Sequence, residues 1–319
     1  MQIGVGLWAM RATARRPASH PRLYAELIDD GRLADRLGFH SLWIAEHHFW
    51  YDGWCPAPLV AAAAVLGVTT RLRVGTGISL LPMHDQEALL EQAVGLHRLS
   101  DGRLELGVGL GYRDVEFDGF GLARRDRGRR MEAGLEALAQ RRDQGKLTPR
   151  VWVGGMAPAA IERAVRHGHG ILLPQTLTTG QIRAALDQVE QLAAAAGQAR
   201  PPAALLLHAW VTDGSEDEQE RARAAVAWTM REYMGSWFML KGRPGFESPD
   251  ALERQVGRAL DAALIGTAEE VTERVAELAE AGIDLLVLHL TSDGERVDYR
   301  GNMELIAEHV VPALGEVPA

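Results

Sequence analysis

Short apolar runs alternate with longer amphipathic runs along the whole chain. The apolar runs span residues 3–8, 41–46, 72–80, 103–109, 151–155, 171–174, 204–211 and 283–290. Helical periodicity covers residues 24–37, 58–66, 87–99, 128–141, 158–166, 180–196, 216–233 and 268–281. The first set predicts strands and the second predicts helices. Repeated strand–helix units with almost wholly apolar strands favour an α/β fold, a closed parallel (β/α)8 TIM barrel.

Local signals agree with these elements. Thr267 followed by Glu270 is a capping-box pattern, Asp101-Gly102 predicts a tight turn, and Gly38 and Gly282 stand where helices should end. The alternative fold is an open, doubly wound sheet. Because no linker or composition break divides the chain, a single barrel domain over residues 1–319 is favoured.

Residues 227–249 interrupt the simple alternation between the seventh and eighth predicted strands. The segment is rich in aromatic and methionine side chains, and it is too long for an ordinary connection. Insertions of this kind lie over the C-terminal face of a barrel, where active sites are built. We expect an apolar lid or wall for a ligand; the alternative is an extra helix pair that covers the rim.

Composition narrows the possible partners. The chain has 319 residues, 47% of them hydrophobic, and a formal net charge of -9. This charge argues against nucleic acid and against an anionic membrane surface as partners. A single cysteine, Cys55, and no apolar run of membrane-spanning length predict a cytoplasmic protein.

The second predicted strand ends in three ionisable side chains, Glu46, His47 and His48. Barrel metal sites commonly place two histidines on alternate strand positions, whereas these two are adjacent, so only one can face the lumen. The sequence also lacks HExxH, paired CxxC and GxSxG motifs. We therefore predict neither a metal site nor a serine nucleophile.

A glycine-rich run at residues 107–111 resembles half of a dinucleotide-binding fingerprint, but the third glycine that opens a helix is missing. Gly109 instead stands at a strand end, where a missing side chain allows the backbone to approach a flat or charged ligand.

Five collinear segments carry a family resemblance. They are AEHHF at residues 45–49, residues 74–84 (VGTGISLLPMH), residues 91–112, residues 151–168 and residues 265–288. Together they resemble the bacterial-luciferase-like flavin-dependent oxidoreductases over nearly the whole chain. The resemblance implies a (β/α)8 barrel with a flavin at the C-terminal ends of the strands. It also implies a homodimer, and the small residues of 58–66 match the region that forms the dimer interface.

The resemblance also assigns roles. His47 matches the histidine that acts as an acid/base beside the flavin ring, which suits an imidazole because it exchanges protons near neutral pH. We expect substrate contacts from the strand end and from aromatic side chains: Glu46, His48, Trp8, Trp228, Tyr233 and Trp237.

For the flavin, the resemblance implies a backbone shelf at Gly77-Ile78, formed by a non-prolyl cis peptide or a bulge. It places the phosphate near Arg127 and near a glycine-bearing turn that leads into a helix. Helix N-termini of this kind bind anions. The turn consists of Gly154, Gly155, Met156 and Ala157.

Two departures from the family concern this phosphate site. Ala157 and its neighbours are apolar where luciferase has a serine and a threonine, and Leu110 stands where an arginine is expected. Loose binding of reduced FMN, supplied by a separate flavin reductase, would fit these changes. The predicted function is oxygenation of an apolar or aromatic small molecule with reduced FMN and dioxygen. The alternatives are deazaflavin-dependent hydride transfer and a non-catalytic flavin-binding paralogue.

Overall fold

The computed structural model describes residues 1–6, 17–49, 55–144, 148–235, 248–290 and 296–314. Strands and helices alternate along these residues, as the sequence predicts. The strands are β1 Gln2–Gly6, β2 Ser41–Ile44, β3 Arg73–Thr76, β4 Leu104–Val108, β5 Arg150–Gly154, β6 Gly170–Leu173, β7 Ala203–Val211, β8 Leu264–Gly266 and β9 Leu285–Leu290.

The helices surround the sheet. They are α1 His20–Leu37, α2 Pro58–Leu66, α3 Gln86–Leu99, α4 Asp114–Gly119, α5 Arg127–Asp143, α6 Pro158–Arg166, α7 Thr179–Ala195, α8 Glu216–Gly235, α9 Pro249–Ala262, α10 Ala268–Glu280 and α11 Arg296–Leu305. A π-helix, Ile306–Val310, follows α11. The periodicity did not predict α4, α9 or α11. None of the described helices is long and apolar enough to cross a membrane.

Parallel pairing closes the sheet into a barrel of eight strands, which confirms the predicted fold. Each of β1 to β7 pairs with the next strand along the chain, and β9 lies between β7 and β1. Because every closing pair is parallel, all the C-terminal strand ends lie at one mouth of the barrel.

The prediction of eight strands omitted β8, which pairs with Ala209–Val211 at the far end of β7. The strand has three residues, too few for a periodic signal. The eighth barrel strand is therefore β9. Within the segment 227–249, α8 continues to Gly235 and α9 begins at Pro249, and the two helices pack on each other through Val226, Met230, Met234, Val256 and Ala259.

Two indoles fill the lower lumen of the barrel. Trp43 of β2 and Trp152 of β5 meet edge to face, with ring centroids 6.1 Å apart. Neighbouring strands carry glycine where these rings lie: a Cβ on Gly75 would come within 2.6 Å of the Trp43 ring. A lumen filled at this depth leaves the C-terminal mouth as the place for a ligand.

The predicted local signals are confirmed. Thr267 and Glu270 form a reciprocal capping box at the start of α10. Asp101 and Gly102 both have positive φ in the turn before β4, and Gly38 ends α1 in the left-handed region. These turns set where each strand begins, and therefore which residues reach the mouth.

Candidate active site

His47 lies at the mouth, three residues after the end of β2, and its ring is held by two side chains. Nδ1 is 3.0 Å from Oε1 of Glu116, and Nε2 is 3.2 Å from the hydroxyl of Tyr233. The residue is buried, with 5% of its surface exposed. An imidazole bonded on both nitrogens has a fixed orientation and a fixed tautomer.

Glu116 comes from α4, directly after β4, and the sequence did not identify it. Its Oε1 also accepts hydrogen bonds from the backbone N–H of His48 and from Arg113 Nη1, at 3.1 and 3.0 Å. The carboxylate is fully buried, and a buried charge is tolerated when it is paired in this way. The Arg113 guanidinium thus holds Glu116 in place.

Tyr233 links His47 to a second tyrosine. Its hydroxyl lies 2.7 Å from that of Tyr112, which follows β4, while Tyr233 itself is on α8. Helix α8 therefore reaches from the end of β7 across to side chains at the ends of β2 and β4. The predicted substrate residue Tyr233 thus lies against the predicted acid/base residue.

Glu46 and His48 form a separate buried cluster. Oε1 of Glu46 lies 2.7 Å from Nε2 of His48 and 2.7 Å from Nε2 of His84, and Oε2 accepts from the backbone N–H of Leu80. Burial raises the pKa of Glu46, but the hydrogen bonds from the two imidazoles outweigh it and bring this pKa to about 2.

These three side chains could also be considered as cation ligands, since their donor atoms lie within 4.8 Å of one another. However, Nε2 of His48 and Nε2 of His84 both approach Oε1 of Glu46 at the length of a charge-assisted hydrogen bond. The cluster therefore ties the end of β2 to the loop after β3, and we do not propose a metal there.

A second pair of histidines faces the lumen at equal height. His208 of β7 and His289 of β9 are paired in register, and their ring centroids are 4.2 Å apart. Burial lowers the pKa of His208 to about 3, and burial with the neighbouring His208 lowers that of His289. Met230 of α8 contacts His208 through its sulfur. Both rings are therefore neutral near pH 7.

The peptide bond between Gly77 and Ile78 is cis, as the resemblance implies. The Ile78 side chain extends over the next two strands: a Cβ on Gly109 would lie 1.8 Å from Ile78 Cδ1, and one on Gly154 would lie 3.1 Å away. The sequence predicted that Gly109 admits a ligand. In the structure, the side chain that uses this space is Ile78.

A basic pocket of about 540 Å³ lies between the N-termini of α5 and α6. Arg127 and Ala157 line it, and three further arginines converge here: Arg124, Arg125 and Arg163. Gly155, with φ of 140°, and the exposed Met156 form the turn before Ala157. Guanidinium groups beside a helix N-terminus are the donor set that a phosphate needs, so these residues fit the flavin phosphate.

Three tryptophans were also predicted to contact the substrate: Trp8, Trp228 and Trp237. Trp228 is on α8 and half-buried. Trp8 and Trp237 lie outside the described residues. The sequence carried no signal for Glu116, because no spacing rule connects α4 to the end of β2.

A family model described as luciferase-like monooxygenase matches residues 4–285. The oxygenase component of a flavin-dependent trigonelline monooxygenase from Acinetobacter baylyi is 23% identical, and the match covers 92% of this chain and 91% of that protein. An uncharacterized protein from Sinorhizobium fredii is 31% identical, over 46% of this chain and about half of that protein, 48%.

Solved structures share the fold. Monooxygenase RslO1 from Streptomyces bottropensis has a TM-score of 0.83 and 23% identity, covering 99% of this chain and all of that one. The oxygenating constituent of 3,6-diketocamphane monooxygenase from Pseudomonas putida, in complex with FMN, has a TM-score of 0.77 and 17% identity, covering 98% of each chain. An F420-dependent secondary alcohol dehydrogenase has a TM-score of 0.75 and 18% identity, covering 99% of each chain.

Proposed function

The chain belongs to the luciferase-like monooxygenase family, and we propose that it is an oxygenase component that uses reduced FMN and dioxygen to oxygenate an apolar or aromatic small molecule. It is thus an oxidoreductase, as the sequence predicted. We further propose that a separate flavin reductase supplies the reduced FMN, as the name of the trigonelline relative suggests for that protein.

The basic pocket between α5 and α6 is the observation that carries this proposal. It is lined by Arg124, Arg125, Arg127 and Arg163 and lies at the ends of β4 and β5. The neighbouring strand ends at this mouth present Gly77, Ile78 and His47. A phosphate seated among the arginines would let the rest of the cofactor extend along the mouth towards His47. Gly154, Gly155 and Met156 would shape the turn beside it.

When bound, reduced FMN supplies the electrons that activate dioxygen. The residues of this chain would then provide proton exchange and exclusion of water. Glu116 keeps Nδ1 of His47 protonated, so Nε2 is the nitrogen that accepts or returns a proton. Because His47, Tyr233 and Glu116 are all buried, their proton exchange is shielded from bulk water.

For the substrate we propose an apolar or aromatic molecule under α8. Helix α8 carries Met230, Tyr233 and Met234, which are buried in one apolar cluster with side chains of α9. Trp228 belongs to the same helix, and Trp8 and Trp237 are proposed as further contacts. Glu46 and His48 would hold the end of β2 in place rather than touch the substrate.

The dimer remains part of the proposal. Helix α2 consists almost wholly of small apolar residues, and Val60 on it is 73% exposed. A small, apolar surface of this kind lets a second copy approach closely. Sedimentation of the purified protein measures its oligomeric state. The variant Val60→Glu should disrupt the dimer.

Anaerobic titration with reduced FMN, reduced riboflavin and a reduced deazaflavin tests the function. We expect reduced FMN to bind about 10-fold or more tightly than riboflavin, because only FMN carries the phosphate. Admitting dioxygen should then oxidise the bound flavin at a rate distinct from that of free reduced FMN. Tight deazaflavin binding without oxygen consumption would establish hydride transfer instead. Binding with no change in oxidation rate would indicate a non-catalytic paralogue.

A further inference from the structure

Four side chains form a continuous hydrogen-bonded chain at the mouth of the barrel. Tyr112 meets Tyr233 at 2.7 Å, Tyr233 meets His47 Nε2 at 3.2 Å, and His47 Nδ1 meets Glu116 Oε1 at 3.0 Å. Tyr112 and Glu116 belong to the connection after β4, Tyr233 to α8 and His47 to the loop after β2, so three separate parts of the chain converge on one line of polar atoms.

The direction of this chain follows from counting protons. Glu116 Oε1 also accepts from Arg113 and from the backbone N–H of His48, which is the pattern of an ionised carboxylate. His47 therefore donates from Nδ1, and in the neutral ring Nε2 is an acceptor. Tyr233 has one hydroxyl proton, which it donates to Nε2, so the remaining contact is Tyr112 donating to Tyr233.

Protonation of His47 on Nε2 reverses the two hydroxyl bonds, Tyr112–Tyr233 and Tyr233–His47, while Nδ1 continues to donate to Glu116. Nε2 takes the hydroxyl proton of Tyr233, and Tyr233 then takes the hydroxyl proton of Tyr112. Tyr112 in turn takes a proton from the group in contact with it. The sum is one proton lost by that group and one gained by His47, with no electrons transferred. The same steps in reverse deliver a proton outward.

Burial shows which end of the chain meets a ligand. Glu116, His47 and Tyr233 are 0, 5 and 9% exposed, whereas Tyr112 is partly exposed. The Nε2 atom of His47 is covered by Tyr233 in this arrangement. The residue predicted from the sequence as the acid/base therefore lies one or two hydroxyl groups behind the accessible end.

We propose that Tyr112 and Tyr233 complete a directed proton relay, in which Tyr112 is the catalytic residue that exchanges the proton and Tyr233 connects it to His47. The inference rests on the proposed function only for the identity of the reacting group. The order of the relay is a property of these side chains alone.

The order can be tested without flavin, by nitrogen NMR of isotope-labelled histidine at mildly alkaline pH. Wild type should show His47 protonated on Nδ1, with a hydrogen-bonded, unprotonated Nε2. Tyr233→Phe keeps the ring but removes the hydroxyl, so the Nε2 resonance should shift to that of a ring without this partner. Tyr112→Phe should leave Nε2 bonded. A wild-type imidazole protonated on Nε2 would overturn the relay.

The role in turnover is tested by oxidation of bound reduced FMN in H2O and D2O, across pH. We expect each phenylalanine variant to slow the proton-dependent step about 10- to 100-fold, while its affinity for reduced FMN stays at the wild-type value. Because the hydroxyls act in series, the double variant should be no slower than the slower single variant.

Two results would contradict the relay in turnover. One is an unchanged rate in Tyr112→Phe, which would mean that His47 acts directly after Tyr233 moves aside. The other is multiplication of the two losses in the double variant, which would mean independent roles. If wild type does not bind reduced FMN, the proposed function fails instead, and the imidazole spectra still decide the order of the chain.

Discussion

Oε1 of Glu116 lies 3.0 Å from Nδ1 of His47, although 69 positions separate the two residues in the chain. The contact exists because β2 and β4 end at the same mouth and α4 turns Glu116 back over that mouth. A carboxylate at this position selects the tautomer in which Nε2 is the proton acceptor, and it stabilises the ring when a proton arrives.

Glu116→Gln should therefore slow turnover about 100-fold while leaving flavin affinity unchanged, because the amide keeps the shape but not the charge. Stopped-flow oxidation of the bound flavin measures the rate. Glutamine is preferred to alanine because its amide oxygen still accepts the hydrogen bonds from Arg113 and His48. Alanine would remove this acceptor from beside a buried guanidinium, at a cost of about 3–5 kcal/mol. Glu253→Gln, on the exposed ion pair with Arg231, is the matched control. Equal turnover rates in Glu116→Gln and Glu253→Gln would show that the Glu116 carboxylate has no role in turnover.

The basic pocket makes a prediction about affinity rather than rate. Arg127→Gln and Arg163→Gln should each weaken binding of reduced FMN about 10- to 100-fold, since each removes a charge-assisted hydrogen bond to the phosphate. Riboflavin, which lacks the phosphate, should bind all variants equally. Added salt should narrow the difference in FMN affinity between wild type and the arginine variants.

Arg274→Gln removes an exposed guanidinium paired with Glu277 and serves as the charge control for this experiment. Its FMN affinity should match the wild type. A loss of riboflavin affinity equal to the loss of FMN affinity would show that the arginines hold the fold and not the phosphate.

Gly109 and Ile78 offer a test of packing at the same mouth. A Cβ at Gly109 would fall 1.8 Å from Ile78 Cδ1, so Gly109→Ala should lower the free energy of unfolding by about 1–3 kcal/mol. Urea unfolding measures this change. Ile78→Ala removes the obstructing carbon, so the double variant should regain much of the loss. Gly95→Ala, within α3 and with no atom near its Cβ, should instead be neutral or stabilising by up to about 1 kcal/mol.

Much of the fold was available from the sequence because its signals are local. Helices α2 and α6 have the predicted bounds, since proline opens each of them. The apolar run of α2 and the periodic apolar face of α6 continue to the helix end. The run that ends in His47 forms β2 for the same reason: continuous apolar residues favour a strand buried on both faces.

The site was only partly available, since its remaining contacts join residues distant in sequence. Glu116 belongs to a six-residue helix, too short to show a hydrophobic period. Arg124 and Arg163 look like solvated surface until α5 and α6 are placed side by side. Gly109 was assigned to a ligand because nothing in the sequence shows that Ile78 crosses over it.

Glu46 predicts how stability responds to acid. Its pKa is about 2 in the folded protein against an ordinary value of 4.5. The unfolded chain therefore binds a proton first as pH falls, so this group stabilises the fold fully above about pH 4.5 and loses that contribution towards about pH 2.

The whole contribution of Glu46 is about 3 kcal/mol. In Glu46→Gln the acid-dependent fall in unfolding free energy should be smaller by about 1.4 kcal/mol per pH unit within this window. Chemical denaturation at a series of pH values measures the slope. Parallel curves for wild type and variant would show that the two imidazoles do not hold the carboxylate in its charged form.

His208 predicts a second effect of acid, in a higher pH range. Burial holds its pKa at about 3, whereas an imidazole in the unfolded chain titrates near 6.5. The folded protein keeps the ring neutral while the unfolded chain takes up a proton. Its contribution to stability is therefore complete above about pH 6.5 and is lost progressively down to about pH 3.

His208→Gln should reduce the slope of unfolding free energy against pH by about 1.4 kcal/mol per unit between about pH 6.5 and 4.5. Above pH 7 the wild-type and variant curves should run parallel, which provides an internal control. A slope that is the same in both proteins below pH 6.5 would mean that His208 gains a proton in the folded barrel and that the lumen beside His289 admits water.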